Sequence, residues 1–137
     1  MDECDETFKA NMDRINRIFK KFSGKENRPS EKKTMSFMEW TSLLECTGVL
    51  DGDIIGDRMC RLCFVRAQQT SLDEMADDFF HRKMDSVEFM EGIARLGHAR
   101  LTSTPDAEET PANMATAISA VIDQLASALF PGRRRPT

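Results

Sequence analysis

The chain is predicted to be all-α, and three observations carry that expectation. Met, Leu, Phe and Ala recur at helical spacing, β-branched residues almost never alternate with polar ones, and one segment occurs twice. The first copy is MSFMEWTSLLECTG, Met35 to Gly48, and the second is MDSVEFMEGIARLG, Met84 to Gly97. In both, a Met opens the segment, a Glu follows (Glu39, Glu88), and an aromatic comes next (Trp40, Phe89). A large aliphatic comes four places later (Leu44, Ile93), and a Gly closes the segment.

The first helix is expected from Glu6 to Phe22, with Phe8, Met12, Ile15, Ile18, Phe19 and Phe22 on one face. KFSGKENRPSEKK breaks that periodicity with Gly24 and Pro29. A second helix opens at Ser36, whose hydroxyl can accept from the Glu39 backbone N–H while the Glu39 carboxylate reaches back, a capping box. Phe37, Trp40, Leu43 and Leu44 give this helix its apolar face, and Gly48 is placed to end it in a left-handed conformation. After VLDGD, a third helix from Ile54 to Gln68 carries Ile55, Met59, Leu62, Cys63 and Phe64. A capping box from Ser71 to Glu74 starts a short helix to Phe79 or Phe80, and the second copy of the repeat supplies the fourth main helix.

Two helical hairpins, residues 8–48 and 54–98, thus form one unit within residues 1–100. Each has a single apolar stripe and can bury it only against the other. The shared interface is expected to hold Phe22, Met35, Trp40, Leu44, Phe64, Met84, Phe89 and Ile93. Residues from Leu101 onward, LTSTPDAEETPAN, are rich in Thr, Pro and acid and read as a linker, assigned to 101–110. Thr110 then caps a helix over 111–130 with Pro111 at its first position, and Pro131 and Gly132 stop it. Ile118, Val121, Ile122, Leu125 and Leu129 form its stripe, together with Met114. That stripe must be buried either in the groove of the chain's own hairpin pair or on a partner protein, and the five residues are the candidate partner-binding set. The tail 131–137 carries Arg133, Arg134 and Arg135, read first as a solvated terminus, with an acidic surface such as a tubulin tail or a nucleic acid as the alternative contact; three charges alone supply little binding.

Composition narrows the function. With 137 residues, 40% hydrophobic and 31% charged, the chain can bury about 60–70% of its unfolded surface and fold alone. A net charge of −4 argues against a nucleic-acid surface, and no apolar run approaches the roughly 20 residues that span a bilayer. The opening MDECDETF lacks secretory or transit character, so the protein is expected in the cytoplasm with reduced cysteines. Cys4, Cys46, Cys60 and Cys63 are expected to be small core residues. Zinc held by Cys46, Cys60, Cys63 and His81 is the less favoured reading, because CRLC lies inside an amphipathic helix and has no second C-x-x-C. His81 and His98 have no flanking triad partners, and no Gly-rich phosphate loop or nucleophile turn is present. No enzyme, catalytic residue or cofactor is expected.

The order of helix, polar loop, apolar residue, Glu, aromatic and helix resembles an EF-hand, and over residues 8–98 two of them resemble an EF-hand pair of the calmodulin type. The resemblance implies that Met35 and Met84 pair across the two loops and that Glu39 and Glu88 occupy the last ligand position. A twelve-residue first loop would begin at Arg28 and put Ser30, Lys32 and Ser36 in ligand places, with Lys33 where Gly belongs. The second offers Asp77, Asp85 and Glu88, but Phe79 and His81 occupy two ligand places and Arg82 replaces the Gly. Both loops are therefore expected to be metal-free; if any residues bind calcium, they are Asp77, Asp85 and Glu88. The pattern further resembles degenerate EF-hand pairs of protist cytoskeletal and flagellar proteins. It implies a calcium-independent structural or adaptor role in a microtubule-associated or axonemal assembly. The competing expectation is a light-chain-like binder of an amphipathic target helix, possessing nine Met residues and open to calcium control.

Overall fold

The computed structural model of the chain describes residues 3–24, 34–69 and 83–130, and every helix or strand named within them is an α-helix. The order is α1 Glu3–Ala10, α2 Met12–Phe22, α3 Phe37–Cys46, α4 Asp57–Gln69, α5 Ser86–Thr102 and α6 Pro111–Leu129. The protein is all-α. The short helix expected after Ser71, and the basic tail, lie outside the described residues.

The expected first helix is in fact two. Asn11 adopts φ −110° and ψ 13°, and its side-chain amide donates to the Thr7 carbonyl at 2.9 Å. A short polar side chain bonded to the preceding turn competes with the helical ladder, and the helix is interrupted here. Arg14 fastens the corner by donating to Asn11 Oδ1 at 2.8 Å. The break lets α1 lie along α6 while α2 runs past α3 and α5.

The third expected helix starts three residues late, at Asp57 instead of Ile54. Asp51 holds the preceding loop closed: its Oδ1 accepts from the backbone N–H groups of Asp53 at 2.9 Å and Ile55 at 3.0 Å. Gly52 supplies the positive φ of 78° that the turn requires. These donated bonds hold the Asp51 carboxyl below its ordinary value, the bond from Asp53 having the largest effect. The loop seats Ile55 in the core and leaves Ile54 exposed.

Past Gly97 the two repeats diverge. Gly48 ends the first copy with φ +81°, as its position predicts, whereas Gly97 stays helical and α5 runs on to Thr102. The segment read as linker therefore begins at Ser103, and Leu101 belongs to the core. The connection from α5 to α6 is fastened at several points. Ala107 N–H donates to the Thr104 carbonyl at 3.3 Å, Asp106 takes φ 66°, and the Asn113 amide donates to the Glu108 carbonyl at 2.8 Å.

A single buried cluster joins residues from α2 to α6: Ile15, Ile18 and Phe19; Trp40, Leu43 and Leu44; Cys60, Cys63 and Phe64; Phe89, Ile93 and Leu96; and Ile118, Val121, Ile122 and Leu125. No segment between α2 and α6 could bury its stripe without the others.

Candidate functional site

The two repeats meet at a junction held by backbone and side-chain hydrogen bonds. Met35 and Met84 form an isolated antiparallel bridge, each N–H donating to the other's carbonyl at 2.7 Å. Both side chains are buried, so the segments before α3 and α5 are joined by backbone and sealed by methionine. Helix starts come at once on either side. Ser36 Oγ accepts from Glu39 N–H at 3.2 Å while Glu39 Oε1 accepts from Ser36 N–H at 2.9 Å. Forty-nine positions on, Asp85 Oδ1 accepts from Glu88 N–H at 2.8 Å and Glu88 Oε1 accepts from Asp85 N–H at 2.9 Å. Each box satisfies two backbone donors and sets carboxylates at the positive end of a helix.

Of the carboxylates expected as a calcium set, Asp85 and Glu88 thus each accept a backbone bond at a helix start, and Asp77 lies outside the described residues. Among the described residues, no three His, Cys, Asp or Glu side chains converge as metal ligands.

Behind the bridge lies an aromatic centre. The rings of Trp40 and Phe89, which share a repeat position, meet edge to face with centroids 6.1 Å apart. Phe89 also packs on Phe19 at 5.3 Å, and Trp40 on Phe64 at 6.3 Å. The indole N–H donates to the Cys60 carbonyl at 3.0 Å, which satisfies the one polar atom of a fully buried Trp. Gly92 makes room for the ring: a Cβ there would lie 2.9 Å from Trp40 Cη2. Of the residues expected at the interface, all are buried except Phe22, which is half-buried at the end of α2.

α6 lays its apolar stripe against the chain's own helices, chiefly α5 and α1, with α2 and α3 alongside. Thr110 Oγ1 accepts from Asn113 N–H at 3.1 Å and Pro111 occupies the first turn, so the helix starts as its sequence dictates. Ile118, Val121, Ile122 and Leu125 are buried and Leu129 is half-buried. Of the five residues expected as a partner-binding set, Ile118, Val121, Ile122 and Leu125 lie in the buried cluster of their own chain and Leu129 packs against its edge. Full burial of four aliphatic side chains contributes about 6–12 kcal/mol before entropy is counted, an upper bound.

Polar contacts fix the register of α6. Arg14 pairs with Asp123 at 2.7 Å, Arg100 donates to Gln124 Oε1 at 2.7 Å, and Gln124 Nε2 donates to the Thr47 carbonyl at 3.2 Å. Arg17 stacks over the Phe130 ring at 4.4 Å. The closest approach is at Gly97, where a Cβ would lie 3.1 Å from both the backbone nitrogen and Cγ1 of Ile118. These locking residues escaped sequence reasoning. Gly97 was legible only as the closing glycine of the repeat, and its continuation within α5 is a finding of the fold.

The cysteines divide. Cys60 and Cys63 are buried in α4, Cys4 is half-buried, and Cys46 is exposed at the end of α3, so the expectation of a core role fails for Cys46. Burial pushes the Cys60 thiol up, and it pushes Cys63 up to about 12 with a further contribution from Cys60. Both are neutral thiols and poor nucleophiles at physiological pH. Of the zinc set, His81 lies outside the described residues. His98 sits on the surface, its Nε2 3.0 Å from Glu109 Oε1.

No helix among the described residues is long and apolar enough to cross a membrane. The chain matches no known protein family, no curated protein and no solved structure.

Proposed function

We propose that the chain is a non-catalytic, EF-hand-like module that acts through protein–protein contacts and without calcium. One observation supports this reading: the apolar stripe of α6 is buried against the chain's own helices, where a target-binding pair would leave its groove free to exchange. A pair closed from within suits a fixed building block better than a sensor that must open. The Met35–Met84 bridge supports it, because packing and backbone bonds hold the two repeats together at that point. So do Asp85 and Glu88, whose carboxylates cap α5. The cytoskeletal or axonemal setting, with tubulin among the candidate partners, rests on the resemblance of the repeated segment.

Two experiments test the reading. Titration calorimetry with calcium up to about 1 mM should give only heats of dilution; binding tighter than roughly 10 µM would overturn the calcium-free assignment. Affinity purification of the tagged protein from its native cells should recover partners of a detergent-insoluble cytoskeletal assembly. Recovery of only soluble partners would remove that setting.

A second reading has its own support. Because α6 is an amphipathic helix seated on apolar anchors, the surface it covers has the chemistry to take a target helix in its place. An added peptide of sequence 111–130 that displaces α6 would favour this reading.

A further inference from the structure

Between α4 and α5, away from the surface that α6 covers, lies a cleft of about 210 Å³. Met59, Leu62 and Cys63 contribute to it from α4, and Arg66, Arg95 and His98 add cationic or titratable groups. Of the three Arg that α4 holds, Arg66 lines the cleft, where it is joined by Arg95 of α5 in a chain of net charge −4. The acidic groups nearby are already engaged. Glu91 pairs with Arg95 at 3.1 Å, and Glu109 lies 3.0 Å from His98.

Arg95 is incompletely satisfied. While its Nη2 meets Glu91, its Nε is buried and has no hydrogen-bond partner. The Nε itself is closed to solvent, so an arriving carboxylate would meet the one-third-exposed side chain through its Nη groups, where charge-assisted bonds are strongest. Arg66 is exposed and stands close enough, with Arg95, to act electrostatically on the Cys63 thiol. That thiol stays neutral, so it brings no negative charge against an anion.

We propose that this cleft binds an acidic peptide, one carboxylate resting on Arg66 and Arg95 and the adjoining apolar chain on Met59 and Leu62. Guanidinium groups match planar carboxylates through paired N–H donors. The volume decides the ligand class. At about 210 Å³ the cleft is smaller than the roughly 300–1,000 Å³ of ordinary small-molecule sites, and it suits a side chain or two. An inorganic phosphate satisfies the guanidinium groups but leaves Met59 and Leu62 without a partner, which favours the peptide. Peptide binding at this cleft is independent of the calcium-free adaptor role and of the docking of α6.

The test uses the full chain, ¹⁵N-labelled, and a blocked disordered peptide of Glu, Leu and Gly. Titration should shift the Arg95 Nε–Hε resonance together with the α4 and α5 amides around the cleft. Arg66→Gln, a change at an exposed position, should weaken binding about tenfold or more and leave the remaining spectrum intact. The same peptide with every Glu replaced by Gln should not bind. Four results would overturn the proposal: no binding at millimolar peptide, shifts confined to another face, equal affinity for the Gln peptide, or an Arg66→Gln variant that binds unchanged. Inorganic phosphate that reproduces the shifts at equal concentration would reassign the cleft to small anions.

Discussion

Gly97→Ala distinguishes a docked α6 from an undocked one by the sign of its effect. In an isolated or solvent-facing helix the substitution stabilises by about 0.8–1 kcal/mol, because Ala is the better helix former. Here the new Cβ would lie 3.1 Å from Ile118 N, 3.1 Å from Ile118 Cγ1 and 3.2 Å from Ile118 Cα. Two of these three atoms are main chain and yield only if α6 itself moves. Overpacking costs about 1–3 kcal/mol, and unyielding backbone places this site in the upper part of that range. The expected balance is a loss of about 1–2 kcal/mol, a fall in Tm of about 4–8 °C for a chain of this size. Urea and thermal unfolding followed by circular dichroism would read it. Ile118→Ala in the same background removes the Cγ1 contact, so the two changes should couple by at least about 0.5 kcal/mol. A Tm that rises by about 4 °C in the single variant, with no coupling, would refute the packing of α6 on α5 at this point.

The aromatic centre and the cysteines give three further expected outcomes. Trp40→Ala and Phe89→Ala should each cost about 3–5 kcal/mol, since both rings are fully buried against one another; a barely altered Tm for both would mean the two repeats do not meet there. In the native protein a disulfide reagent should label Cys46 fast and leave Cys60 and Cys63 unreacted until unfolding, and rapid labelling of all thiols would contradict their burial. Burial favours the neutral Cys63 thiol in the folded state. The stability linked to it is therefore complete below the ordinary thiol value of 9.0 and is lost as pH climbs toward about 12, so Cys63→Ala should flatten the alkaline loss of stability.

How much of this was legible in the sequence depended on how local the signal was. Both ends of the capping logic were readable because Ser36 and Glu39, or Thr110 and Pro111, lie within one turn of each other. The repeat located Met35, Met84, Trp40 and Phe89, since equivalent positions must serve equivalent places in two packed hairpins. Asn11 was hidden by its neighbours: an apolar stripe ran through it, and only its side-chain bond to Thr7 decides that the helix breaks. Leu101 was lost to the composition of the segment after it, although it extends the buried face of α5. The Arg14–Asp123 pair joins residues 109 positions apart, and no periodicity can announce such a contact. The cleft on α4 and α5 was equally silent, because its cationic groups come from two helices whose adjacency only the fold supplies.

α6 lies against its own chain, and a nuclear Overhauser measurement tests that directly. Ile118 Cγ1 sits 3.1 Å from where a Gly97 side chain would begin, so the Gly97 Hα and Ile118 Hγ1 protons should show a strong cross-peak. The signal should persist on dilution and be absent between labelled and unlabelled copies in an isotope-filtered mixture. A missing cross-peak, with α6 resonances narrow and random-coil in shift, would contradict the docking of α6 on its own chain.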